Sequence, residues 1–289
     1  MTKTRNNNFK EMLERLDMQS ILILGKDGFI GSELFNYLND DLVTGTNKTQ
    51  CDITQKSNLI SLISKTMPDV IINCTGLLSK SFKDRYDVFK VNYDGVKNLL
   101  DVCYELGYKG KIILLGSSEM NNSDSVYGVS KKCAFDYATL MNNNTKLHIV
   151  TLVPSIVYGE NQKGNMFIPS MVKAYKKGKI FEMSSGYQQR NFVHVDDIIS
   201  AIEILINTDK DFKELGHYLP LHYPTDFTLR QVTEIFNKVT KKEFSFAYHR
   251  IPMRDGETEI FENLGFISYI KIGWNPRVTL EEGLKRCIQ

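Results

Sequence analysis

From Ser20 onward, short apolar runs alternate with stretches whose apolar residues recur at helical spacing. "SILILG" (20–25) is an unbroken apolar run ending in glycine, as a strand buried on both faces requires, and "GSELFNYLND" after it has the period of a helix. "DLVTG" reads as a second strand and "KSNLISLISKT" as a second amphipathic helix. "DVIINCTG" (69–76), "GVKNLLDVCYELG" (95–107), "KIILLGSS" (111–118), "SKKCAFDYATLMN" (130–142) and "LHIVTLVPS" (147–155) carry the alternation on. Apolar strands separated by helices predict an α/β fold, a doubly wound parallel sheet covered on both faces.

Past about residue 160 the rhythm loosens into polar connections such as "GENQKGN" and "EMSSGYQQRN". The pattern therefore predicts a sheet domain over 19–159 and a smaller C-terminal α/β region over 160–289, part of which returns to the first. Residues 1–18 form a polar extension. Its "FKEMLERL" has apolar positions for two helical turns, but a frayed tail is the ordinary behaviour of such a terminus.

With 289 residues, 42% hydrophobic and 24% charged, the chain can bury a large core and is not a disordered segment. A formal charge of +2, with basic residues interspersed among acids, gives no reason to expect nucleic acid as a partner. Cys51, Cys74, Cys103, Cys133 and Cys287 include no Cys-x-x-Cys pair, and the histidines lack ligand spacing; reduced thiols and no metal are expected. The first residues lack the apolar core of a signal peptide and no long apolar window offers a membrane span, which leads to the expectation of a cytoplasmic protein.

Two local patterns carry chemistry. In "GKDGFIG", Gly25, Gly28 and Gly31 stand between the first strand and the first helix. There the first glycine permits the tight turn, the second lets backbone N–H groups approach a pyrophosphate, and the third lets helix pack on sheet, with the helix N-terminus favouring the anion. In "LLGSSEMNNSDSVYGVSKK", Tyr127 and Lys131 lie four residues apart on one helix face, downstream of Ser117 and Ser118. Tyr-x-x-x-Lys arises easily by chance, and Tyr175 and Lys179 repeat it in "KAYKKGK", where no serine-bearing strand precedes it; a solvated basic helix end is expected there.

From residue 20 on, the chain resembles the extended short-chain dehydrogenase/reductase (NAD-dependent epimerase/dehydratase) family, which acts mainly on nucleotide-sugars. The landmarks occur in order: the glycine turn, "CDITQ", "VIINCTG", "VNYDGVKNLL", "GSS" before "VYGVSK", "VPSIVYG", "QQRNFVHVDDI" and "IGWNPRVTLEEGL". The first half looks most like the sugar 4-keto reductases, such as the dTDP-4-dehydrorhamnose reductases, and "LGSS" resembles the GDP-fucose synthases. The resemblance implies a Rossmann fold with a dinucleotide at Gly25, Gly28, Phe29, Ile30 and Gly31, at Asp52 and Ile53, at Cys74, Thr75 and Gly76, at Asn92, and at Pro154.

It also implies that Tyr127 exchanges a proton with the substrate oxygen while hydride moves between sugar and nicotinamide. A free tyrosine has a pKa of about 10, so the Lys131 ammonium is expected to stabilise its phenolate, while Ser117 hydrogen-bonds the same oxygen. The family usually inserts a longer loop before the tyrosine, whereas nine positions separate Ser117 from Tyr127 here, which leaves Ser118 as an alternative. Glu119 resembles the glutamate that sugar dehydratases use as a base, but the flanking residues depart from that pattern. Arg190 and Arg254 match positions that hold the nucleotide diphosphate, with Asn165 and Phe167 as weaker substrate contacts. His194 and Trp274 are expected to be packing residues.

The reading is an NAD(P)-dependent oxidoreductase that reduces the 4-keto group of an NDP-deoxy-sugar or NDP-heptose for surface glycan synthesis. An epimerase or 4,6-dehydratase that recycles NAD+ is the alternative within the family, and a non-catalytic dinucleotide-binding regulator the alternative outside it. The expected partner is a nucleotide-diphosphate sugar, and a homodimer is compatible with the family. After the second strand, "GTNKT" (45–49) has no acid to hold a ribose 2′-OH, and none follows until Asp52. Thr46, Asn47 and Lys48 could instead hold a 2′-phosphate, so NADP(H) is favoured over NAD(H).

Overall fold

The computed structural model describes residues 19–79, 81–122, 124–240, 244–252 and 266–289. The helical turns expected in 9–16, and Arg254, lie outside the described residues.

The first part of the chain runs β1 (Ile21–Leu24), α1 (Phe29–Leu38), β2 (Val43–Thr46), α2 (Lys56–Thr66), β3 (Val70–Asn73), α3 (Arg85–Phe89), α4 (Gly95–Glu105), β4 (Lys111–Leu115), α5 (Val126–Asn144) and β5 (His148–Pro154). Every residue of β1 is buried, as its unbroken apolar run requires. Helix α2 begins and ends with the amphipathic segment itself. Between α3 and α4 the residues Lys90–Asp94 wind as a π-turn, which the residue pattern does not announce.

The second part adds β6 (Ile156–Tyr158), α6 (Phe167–Lys176), β7 (Phe181–Glu182), β8 (Gln189–Arg190), β9 (Phe192–His194), α7 (Val195–Asn207), α8 (Phe212–Leu215) and β10 (Tyr218–Leu221). It ends with β11 (Phe227–Thr228), α9 (Leu229–Val239), β12 (Phe246–Ala247), α10 (Phe266–Ile272) and α11 (Leu280–Ile288). The central sheet has six strands in the order β10-β5-β4-β3-β1-β2, and the pairings of β1 with β2 and β3 are both parallel. The chain therefore leaves β1 to one side, for β2, and returns on the other, for β3. In doubly wound sheets that reversal opens a crevice at the strand ends.

Two compact units result, one of residues up to Leu152 with Ile202–Leu219, the other of Val153–Ala201 with Pro220–Gln289. The first has an aliphatic core in which Leu22, Leu24, Ile71, Ile112 and Ile149 of the sheet join Leu59, Ile63, Leu99 and Leu100 of the helices. The second is rich in aromatics, with Tyr158, Phe192, Phe236 and Phe244 in one cluster. His194 is fully buried there and its Nε2 lies 2.9 Å from Glu160 Oε2, while Trp274 donates from Nε1 to the Asp197 carbonyl at 2.8 Å. Both polar rings are thus satisfied inside the core.

Candidate active site

At the reversal point the turn after β1 and the segment after β3 meet. Gly25 has φ +85°, a left-handed conformation, and a Cβ there would stand 3.0 Å from the Thr75 nitrogen. A Cβ on Gly31 would collide with the Gly25 carbonyl, so the helix can approach the turn only without a side chain. Gly28 caps α1 with no side-chain hydrogen bond, which leaves the first-turn amides without a side-chain acceptor. Phe29 and Ile30, half-buried, begin that helix. After β3, Thr75 is fixed by its own N–H and hydroxyl, both donating to Asn73 Oδ1, and burial pushes the Cys74 thiol up to about 12.

Gly76, exposed, sits over the side chains of Asn92 and Lys131: a Cβ there would be 3.6 Å from Asn92 Oδ1 and 3.5 Å from Lys131 Nζ. Asn92 is carried by the π-turn and is buried. Its Oδ1 accepts from Leu77 N at 2.8 Å, and its Nδ2 donates to the Leu77 carbonyl at 3.1 Å and to Ser130 Oγ at 3.0 Å. Ser130, which the motif reading passed over, thereby ties α5 to the π-turn; its place in Tyr127-x-x-Ser130-Lys131 was the available signal.

Helix α5 starts at the Ser125 cap, whose Oγ accepts from Gly128 N at 3.1 Å. The same hydroxyl donates to Glu119 Oε2 at 3.1 Å, which ties the turn over Ser118–Asn121 to the helix start. Half-buried Tyr127 stands close enough to Ser117 for that side chain to favour its ionised form, and the Lys131 ammonium lies 5.9 Å from the centre of its ring. Ser117 also accepts from Glu119 N at 3.2 Å. Of the two neighbouring serines, Ser117 is therefore the one in contact with the phenol.

Lys131 is 6% exposed and donates from Nζ to the Leu115 carbonyl at 2.8 Å. Burial lowers its pKa to about 8. Burial also pushes the Tyr127 phenol up to about 12, with the Ser117 side chain opposing the rise and the Glu119 charge adding to it. The sequence suggested that Lys131 would pull this phenol down. Desolvation of the phenol sets the direction instead.

Of the remaining dinucleotide candidates, all but Pro154 lie in the first unit. Asp52 stays below the ordinary carboxylate range: burial works against ionisation, but hydrogen bonds from Thr54 N and Oγ1 and the charges of Lys48 and Lys90 prevail. Ile53 is buried against Gly95, where a Cβ would strike its side chain. Thr46 is buried, with no hydrogen-bond partner for its hydroxyl, and Lys48 is exposed. The glycine cradle, the uncapped helix and this buried hydroxyl make the strand ends a fitting bed for a dinucleotide. Pro154 ends β5, buried, in the second unit.

Also in the second unit, Asn165 is exposed in the turn before α6, and Phe167 packs edge-on to Phe181 at 5.6 Å. Arg190 is half-buried in β8 and donates to the Gln189 carbonyl at 2.6 Å. Tyr175, expected to belong to a solvated helix end, instead packs against Phe236 and Phe244. Among the described residues no group of three or more His, Cys, Asp or Glu is placed to hold a metal ion, and no described helix is long and apolar enough to cross a membrane.

Comparison with known proteins gives the same picture. CDP-abequose synthase of Salmonella muenchen is 30% identical over 135 residues, 46% of this chain and 44% of that relative, so the match spans less than half of either. The structure of RMD from Pseudomonas aeruginosa complexed with NADPH superposes with a TM-score of 0.78 at 19% identity, covering 93% of this chain and 97% of that one. UDP-glucuronic acid 4-epimerase from Bacillus cereus, in complex with UDP-glucuronic acid and NAD, gives a TM-score of 0.79 at 19% identity, covering 92% and 96%. The model of the NAD dependent epimerase/dehydratase family matches residues 21–219, most of the chain. With its glycine turn, its six-stranded sheet and its Ser, Tyr and Lys brought close together, the chain belongs to the NAD dependent epimerase/dehydratase family of extended short-chain dehydrogenases/reductases.

Proposed function

We propose that this protein reduces the 4-keto group of a nucleotide-diphosphate sugar, a deoxy-sugar or heptose, with NAD(P)H. The observation that supports this most is the state of Tyr127. A phenol pushed up to about 12 keeps its proton at neutral pH, as a donor to a ketone oxygen must. Ser117, placed beside that phenol, would orient the same oxygen, and Lys131 stands one helical turn away as the cation that would stabilise the phenolate left behind.

The glycine turn, the Cys74–Gly76 segment, Asn92 and Lys131 would hold the dinucleotide, which supplies hydride when bound. Pro154 is assigned to the nicotinamide side, and Asp52 and Ile53 to the adenine side. Lys48 is the feature that supports NADP(H), as a cation for a 2′-phosphate. Arg190 and Arg254 are assigned to the diphosphate, and Asn165 and Phe167 to the nucleotide or sugar. This divides labour between a cofactor domain over 19–159 and a mainly substrate-binding region over 160–289.

One observation favours a second reading. Glu119 is close enough to raise the proton affinity of Tyr127, and a carboxylate there could serve as the base of a dehydratase. Its engagement by Ser125 Oγ weighs against that role. Incubation with nucleotide-linked 4-keto sugars and reduced dinucleotide tests both. One dinucleotide consumed per sugar reduced, with product identified by mass, supports the reductase; conversion of a sugar without net consumption would replace it with epimerase or dehydratase chemistry.

A further inference from the structure

Along the sequence no acid follows β2 until Asp52, but the fold brings one in from the neighbouring turn after β1. The amides of Gly25 and Lys26 both donate to the Thr46 carbonyl, at 2.8 and 2.9 Å, which pins the glycine turn to the end of β2. One residue further on, Asp27 Oδ2 accepts from Asn47 Nδ2 at 2.8 Å. Asp27 is exposed, and among the described residues no lysine or arginine forms an ion pair with it.

Of the groups that the sequence offers to a 2′-phosphate, Asn47 is engaged elsewhere and Thr46 is buried. Both ends of the Asn47 side chain are engaged: Nδ2 by Asp27, and Oδ1 by Thr49 N, Thr49 Oγ1 and Gln50 N at 3.1, 2.8 and 3.2 Å. The hydroxyl of Thr46 is buried. Lys26 lays its ammonium over the Phe35 ring, 5.3 Å from the centre. Only Lys48 is left exposed, and its charge already acts on Asp52.

We propose that Asp27, positioned by Asn47, selects the unphosphorylated dinucleotide. In doubly wound folds the acid that holds the adenosine ribose 2′-OH stands just past β2. Here the same chemistry is delivered from the glycine turn. An exposed carboxylate oriented by an amide accepts a hydrogen bond from a ribose hydroxyl, and it places like charge against a 2′-phosphate. The inference rests on the proposed use of a nicotinamide dinucleotide but not on the direction of hydride transfer, and it reverses the preference that Lys48 alone would give.

Calorimetric titration of the full chain, with no sugar present, tests it with four ligands: NADH, NADPH, ADP and 2′,5′-ADP. The wild type should bind NADH over NADPH, and ADP over 2′,5′-ADP, by about tenfold or more, as like charge at a few ångströms predicts. Asp27→Asn keeps the shape and removes the charge; it should cut both preferences about tenfold, mainly by strengthening the phosphorylated ligands, and the gain should fade with added salt. Asp27→Ser should do the same without the amide. A wild type that prefers NADPH, or folded variants with unchanged ligand ratios, would overturn the proposal. If both dinucleotides bind equally, only the selection fails; if none of the four binds, the cofactor reading falls with it.

Discussion

Helices α5 and α6 each carry a tyrosine with a lysine four residues later, and the fold treats the two pairs in opposite ways. Lys131 is buried against the Leu115 carbonyl, with Tyr127 in contact with Ser117. Tyr175 packs edge-on to Phe236 and Phe244, at 5.6 and 5.5 Å, and Lys179 lies exposed beyond the helix end. Spacing alone would put a tyrosine and a lysine on one helix face in both places, but α6 ends at Lys176 and leaves Lys179 outside it. What separates them is the strand that delivers Ser117 and the burial that holds Lys131.

The largest expected effect is on turnover. Tyr127→Phe removes one hydroxyl and should lower the rate by roughly 10²–10⁴ while NADH or NADPH binding persists. Steady-state rates alongside dinucleotide titration check this; near-full turnover would end the distinction between the two pairs.

Next comes the pH dependence of stability. Lys131 has its pKa lowered by burial from 10.5 to about 8, so between those values the unfolded chain still holds a proton that the folded chain has released. Lys131's own contribution to stability should therefore rise with pH across that window, by about 3 kcal/mol, and be flat below it; it is read as the difference between wild type and Lys131→Met, because buried thiols such as Cys74, raised to about 12, lower the stability of both chains as pH rises. Lys131→Met should abolish this rise, and Lys179→Met should not. Urea melts at a series of pH values decide it.

The glycines inside the two motifs sharpen the contrast. A Cβ on Gly128 would strike the carbonyls of Glu119 and Asn122, both backbone, so Gly128→Ala should cost about 1–3 kcal/mol through overpacking. Gly178 has open space around it and φ +62°, so Gly178→Ala should cost only about 1 kcal/mol of left-handed strain. Denaturant midpoints for the two variants should fall in that order.

The smallest effect is the control. Tyr175→Phe keeps the ring that packs on Phe236 and Phe244, and should leave both turnover and melting within about 0.5 kcal/mol of wild type. A large loss of activity there would make the second pair, not the first, the one to pursue.

The residue pattern by itself determined the strand and helix succession from β1 to β5, the glycine turn, and the pairing of Tyr127 with Lys131 on one helix face. These are local: an apolar run, a helical period and a glycine each act over a few residues. It did not announce α3, the π-turn that carries Asn92, or the two-residue strands β7, β8, β11 and β12, because such short pieces form only when partners distant in sequence cover them. The state of the site was also beyond it. Only the tertiary structure desolvates Tyr127 and Lys131 and so moves their pKa values, and only it sets Asp27 against Asn47, twenty residues away in the chain. Desolvation and contact between the ends of neighbouring strands are properties of groups brought together in space, and the spacing of residues along a chain does not contain them.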